Sequence, residues 1–192
     1  MAMNRMRVRI DSLDGMMKHF QNRLAQVGQG KGRVAMARAL NRGGKTTNVH
    51  VKRALVAQTS IPRSIVNATL KEKQASTSGG GALEFVIYGS GTELPLKIFK
   101  PKQMGFGTRA KVWGKMQRFP GAFMGPRPGV IAPSLGGHVF HRTGKSRKPI
   151  EKLYGPSIPK EMVIDQTART FETTSVREIS KRLDHELKRM MP

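Results

Sequence analysis

Apolar positions along this chain keep one of two spacings, and the change from one to the other divides it into three stretches. Over 11–27 (DSLDGMMKHFQNRLAQV), Leu13, Met16, Met17, Phe20, Leu24 and Val27 fall largely at steps of three and four, the period of one helix face. Asp11 or Ser12 supplies a cap, and Gly28-Gln29-Gly30 ends the run. The methionines there read as core or partner-contact filler rather than ligands. A second, longer helix is predicted over 31–57. Its stripe is Val34, Ala37, Leu40, Gly44, Val51 and Leu55, bridged by the small Thr47 and Asn48. Gly43-Gly44 sits mid-run at a cost of about 1 kcal/mol per glycine relative to alanine. A narrow stripe of small residues suits close approach of another helix or another subunit. Arg33, Arg38, Arg42, Lys45, Lys52 and Arg53 occupy much of the remaining surface.

Thr59-Ser60-Ile61-Pro62 breaks and restarts the chain, with Ser60 as the expected cap of a short helix over 63–68. A first strand is expected within 69–76, and STSGGG at 76–81 is a flexible connection too short to separate domains. The period then drops to two. ALEFVIYGS (82–90) and LPLKIFK (94–100) read as strands, Pro95 placing the second at an edge. In RAKVW (109–113), Arg109, Lys111 and Trp113 point one way, Ala110 and Val112 the other. A turn at Gly114-Lys115 follows. Residues 118–160 then give two strands joined by a mobile loop, with a basic turn at the far end. FPGAF, turned by Gly121, is the first apolar run, GPRPGVIAPSLGG (125–137) the loop, and His138-Val139-Phe140 the second run.

From 157 the chain is helical again. Ile164, Ala168, Phe171, Ser175, Ile179, Leu183, Leu187 and Met190 form a long stripe, expected to cover the sheet. Ser175 and Glu178 match a capping box that would mark a kink or restart. The expected fold is α+β: one antiparallel sheet of four to six strands packed on long N-terminal and C-terminal helices, with a long Gly/Pro-rich loop. We read a single domain over 1–192, made of a helical segment (1–68), the sheet with its 125–137 loop (69–156) and a C-terminal helix (157–192).

Composition adds a partner class. The 192 residues carry a formal charge of +23 and no cysteine, so neither a disulfide framework nor a thiolate metal site is available. No apolar run approaches the roughly 20 residues that cross a bilayer, and no membrane partner is expected. The charge is uneven. Residues 1–75 hold 15 Lys and Arg against 3 acids, 76–156 hold 13 against 3, and 157–192 hold 7 against 6. The first two thirds therefore face something anionic, whereas the last third is balanced like an ordinary helix.

The sequence offers no complete reactive constellation. Gly43-Gly44-Lys45-Thr46 and Thr143-Gly144-Lys145-Ser146 imitate a phosphate loop, but Ala39 and Val139 stand where the leading glycine is needed. His138 and His141 point to opposite faces of a strand, and no carboxylate cluster accompanies them. No G-x-S-x-G occurs. We nominate no catalytic residue, no metal ligand and no cofactor. The candidate site is the basic knot Arg142, Lys145, Arg147 and Lys148, beside a glycine, with Arg109, Lys111, Lys115 and Arg118 as a second, weaker group. Such cations converge on a phosphate backbone without reading bases. They serve equally well as salt-bridge partners for a neighbouring subunit.

The order FPGAF, variable loop, HVFHRTGKSR, PIEKLYGPSIP spans about forty positions and resembles the prophage minor tail protein Z family of long-tailed bacteriophages. ARALNR, and a helix closing before SIP, extend the resemblance to the N-terminal half; 76–115 carries none of its signature. The resemblance implies a virion protein at the head-proximal end of the tail, assembled in the bacterial cytoplasm. Its role would be to complete the tail and join it to the head as a ring, expected to hold six copies. Tail terminator, tail tube and head-tail connector proteins would be its neighbours, with double-stranded phage DNA near its basic surface. The alternative is a free-standing, sequence-nonspecific nucleic-acid-binding protein.

Overall fold

The computed structural model describes residues 2–9, 29–77 and 83–190; the helix expected over 11–27 and most of the STSGGG connection lie outside them. In chain order the elements are β1 (Ala2–Arg9), α1 (Gln29–Thr59), α2 (Arg63–Thr69), β2 (Leu70–Lys73) and β3 (Glu84–Gly91). A 3-10 turn (Leu96–Phe99), β4 (Lys102–Met104), β5 (Gly107–Val112) and β6 (Lys115–Pro120) follow. After a second 3-10 turn (Pro133–Leu135) come β7 (Phe140–Arg142), β8 (Ile150–Lys152), α3 (Ile158–Glu161) and α4 (Asp165–Met190). The class is α+β with long helices, as expected. The strands, however, are shared among three antiparallel sheets, β1-β3-β2, β4-β5-β6 and β7-β8, rather than collected in one.

The small-residue stripe of α1 explains how the helix sits. A Cβ on Gly43 would lie 2.7 Å from the Ile179 side chain of α4, and one on Gly44 would lie 2.4 Å from the Phe85 ring of β3. Two consecutive glycines, about 100° apart on the helix, thus let α1 press against α4 on one side and the first sheet on the other. The close approach is made within the chain. Leu40, Val51 and Leu55 are fully buried along the same stripe, and Thr47 Oγ1 donates to the Gly43 carbonyl at 2.9 Å. Val34 does not belong to it, being 37% exposed.

Two expectations for the C-terminal segment are corrected. It divides into α3 and α4, with Asp165 in a left-handed conformation at the junction. Instead of covering the sheet, α4 lies along α1: Ile179, Leu183 and Leu187 bury there with Leu40 and Ala39. Among its described apolar residues, Ala168 and Phe171, near its start, are the ones that pack against the main core. Nor does Ser175 restart the helix, since its hydroxyl donates back to the Glu172 carbonyl at 3.1 Å. Near its end, the buried Glu186 carboxylate accepts from Arg42 Nη1 at 3.0 Å and ties the two helices together.

Two local readings also change. The alternation of Leu94, Leu96 and Ile98 mimics a strand, but 96–99 is a 3-10 turn. Leu96 and Phe99, three apart and therefore on one side of it, are the residues that bury. Ser60 is not a cap. It takes a positive φ of 62°, Pro62 stands in the cap position, and Thr59 organises the break by donating to the Leu55 carbonyl at 2.6 Å. In the first sheet Phe85 and Ile87 of β3 face the core, with Met6 of β1 opposite Ile87.

Between β5 and β6 the chain reverses through Trp113 (φ 49°) and Gly114 (φ 71°), as the turn there requires. The reversal docks on the helices. Trp113 donates from its backbone N to the Thr59 carbonyl at 3.1 Å and from its indole Nε1 to the buried Glu161 carboxylate at 2.8 Å. Gln58 donates to the other Glu161 oxygen at 3.0 Å and accepts from Thr167 Oγ1 at 2.7 Å. One polar chain therefore joins the second sheet to α1, α3 and α4.

Candidate functional site

All four residues of the basic knot lie in or beside the turn between β7 and β8, and every residue from 141 to 149 is exposed. Short strands and internal hydrogen bonds give the turn its shape. Thr143 Oγ1 donates to the Pro149 carbonyl at 3.2 Å, and Ser146 Oγ donates to the Lys148 carbonyl. Arg142 Nη1 donates to the Arg147 carbonyl at 3.2 Å while its guanidinium lies 5.2 Å from the Phe123 ring centroid. Arg142 is thereby committed to holding the turn. Lys145, Arg147 and Lys148 carry their charge on its outer edge.

The second group is brought together by strand register. Arg109 on β5 stands opposite Arg118 on β6 and, on its other side, opposite Lys102 on β4, so three cations cross the sheet in one row. Lys111, two positions along β5, shares their face, while Ala110 and Val112 are buried on the other, as alternation requires. Arg118 lies 5.2 Å from the Phe106 ring centroid. Lys115 is exposed at the start of β6, opposite Val112. Nothing in KQM alone shows which strand Lys102 will join, so its place in the row is set only by the register of β4 on β5.

A third cationic surface was missed altogether. On the first sheet, the register sets Arg5, Tyr88 and Lys71 in one row and Arg7, Val86 and Lys73 in the next. Arg5, Tyr88, Arg7, Val86 and Lys73 of these rows border a cavity of about 400 Å³, lined also by Glu72 and Glu84. The alternation Arg5-Met6-Arg7-Val8 is the one signal of this surface in the sequence, and it does not show which strands stand beside β1.

The Gly/Pro-rich loop between the knot and β6 is held at both ends. Gln103 Oε1 accepts from the backbone N of Met124 at 2.7 Å and of Gly125 at 3.0 Å, and Lys97 Nζ donates to the Gly136 carbonyl at 2.5 Å. Between these anchors Val130 and Ile131 are exposed. His138 follows the loop, with Nε2 at 3.4 Å from Lys152 Nζ. Burial lowers its pKa below the ordinary 6.5, and the charges of Lys152 and Lys97 lower it further. A neutral ring accepting from Lys152 fits that direction. His141 is exposed on β7.

The phosphate-loop imitations are also placed. Gly43-Gly44-Lys45-Thr46 is inside α1, with Thr46 Oγ1 bonded back to the Arg42 carbonyl at 3.2 Å; Thr143 to Ser146 form the β7–β8 turn. Among the described residues no group of three or more His, Asp or Glu is placed to hold a metal ion, and no helix is long and apolar enough to cross a membrane. No family model, curated protein or solved structure matches the chain.

Proposed function

We propose that this chain is a structural minor tail protein of a long-tailed bacteriophage, acting at the head-proximal end of the tail in tail completion and head-tail joining. The observation that carries the proposal is the 118–160 stretch, whose ordered pieces resemble the prophage minor tail protein Z family. Its geometry supports a contact role. An anchored loop presents Val130 and Ile131, and a fully exposed turn presents Lys145, Arg147 and Lys148. In a ring, expected to hold six copies, the loop reaches a neighbouring subunit. The turn and the Lys102–Arg109–Arg118 row then face the phosphates of DNA near the lumen. Tail terminator, tail tube and connector proteins are the neighbours above and below.

Deleting the gene from a phage that carries it tests this. Heads and tails left unjoined, or joined into non-infectious particles, together with a low fixed copy number in purified virions, are the expected results. Fully infective particles assembled without the protein would overturn the proposal and favour a free-standing nucleic-acid binder.

A further inference from the structure

We infer that the outward face of α1 is a docking ridge for the phosphate backbone of double-stranded nucleic acid, separate from the β7–β8 turn. Gly43 turns one side of α1 to α4 and Gly44 turns another to β3, which leaves a third side uncovered by either. On that side Lys31, Val34, Arg38, Arg42, Lys45, Val49 and Arg53 are exposed, each three or four positions from the next. They form one line. At 1.5 Å per residue it runs roughly 33 Å, close to one turn of duplex at about 34–36 Å.

Charge commits the ridge to a polyanion. No Asp or Glu occurs in the sequence between Asp14 and Glu72, so α1 contains none. The carboxylate that reaches this side is Glu186, which is 2% exposed and paired with Arg42. Among the described residues, Arg42 is the one ridge cation with a carboxylate partner. Like charges at three- and four-residue steps, as in Arg38–Arg42 and Arg42–Lys45, destabilise a helix by a few tenths of a kcal/mol each. A line of anions laid along the ridge removes that repulsion. At its N-terminal end the ridge opens into a groove of about 380 Å³ between α1 and α4, where Arg189 joins Lys31 and Arg38. The exposed line holds no aromatic ring on which an unpaired base could stack, which favours duplex over single strand. The inference is independent of the tail assignment, because a virion protein and a free-standing binder would use the ridge alike.

The test uses the full chain and a 30-base-pair duplex of mixed sequence, with affinity measured across a series of NaCl concentrations. Replacing Arg38, Lys45 and Arg53 by Gln is expected to lower the log-log salt slope by roughly 2.7, about 0.9 per lost phosphate contact, and to weaken binding at least about 10-fold near physiological salt. The charge-conserving set R38K, K45R and R53K is expected to bind like the parent. A folded Gln variant with unchanged slope and affinity would overturn the inference, as would equal or tighter binding of the parent to a single strand of the same length. Should the Gln variant fold poorly, acetylation of the unmodified chain decides the matter. Duplex is expected to protect Lys31 and Lys45 from the reagent, and full reactivity of both in its presence would defeat the proposal.

Discussion

At the centre of α1, Gly43 and Gly44 are closed against Ile179 and Phe85, whereas in the β7–β8 turn every residue from 141 to 149 faces solvent. The first region is made of atoms left out: two absent side chains let a helix and a sheet meet on one α-helix. The second is made of charge held outward by side chains that donate to the turn's own carbonyls, with little packed beneath it. A substitution in the first region therefore registers in folding, and one in the second registers in what the protein binds.

The contrast is broken most severely at the glycines. Gly44→Val places a branched side chain into the fully buried Phe85 ring. It is expected to cost about 3 kcal/mol, seen as a fall in Tm of about 6–12 °C by circular dichroism. Trp113→Phe is milder. It keeps the ring but removes the donor to Glu161 Oε1, and leaving that buried oxygen short of a partner is expected to lower urea stability by about 1–2 kcal/mol. Replacing Lys145, Arg147 and Lys148 together by Gln sharpens the comparison from the other side. Stability is expected to stay within roughly 0.5 kcal/mol per substitution, while the slope of duplex binding against salt falls by about 0.9 for each phosphate contact removed.

The smallest effect is local to His138. Its folded pKa is lowered, so the unfolded chain takes up the proton first as pH falls. The stability linked to it is present above about 6.5 and is lost as pH drops through the folded value. The imidazole resonance followed by NMR is expected to titrate below 6.5, and Lys152→Met is expected to move the midpoint upward. A midpoint at or above 6.5 in the parent would contradict the placement of Lys152 beside the ring.

How far the residues themselves revealed this depends on whether the signal was local. The long α1, the short helix after Pro62, β3 and the alternation of β5 were legible because period and turn residues sit within each segment. So was the basic turn, whose four cations and glycine are contiguous. What α4 packs on was not legible: its stripe fits a helix as well as a sheet, and only the Gly43–Ile179 approach decides between them. The 96–99 turn misled because Leu94, Leu96 and Ile98 alternate while Leu96 and Phe99 do the burying. The rows Lys102–Arg109–Arg118 and Arg5–Tyr88–Lys71 depend on register between distant strands, which no single segment encodes.

Trp113 is the chain's one tryptophan, and its indole is pinned to the carboxylate that also receives Gln58. Its emission is therefore a built-in optical gauge of a single joint. Loosening of that corner, by heat, denaturant or a neighbour prising the sheets from the helices, is expected to register in that signal through loss of the Glu161 contact.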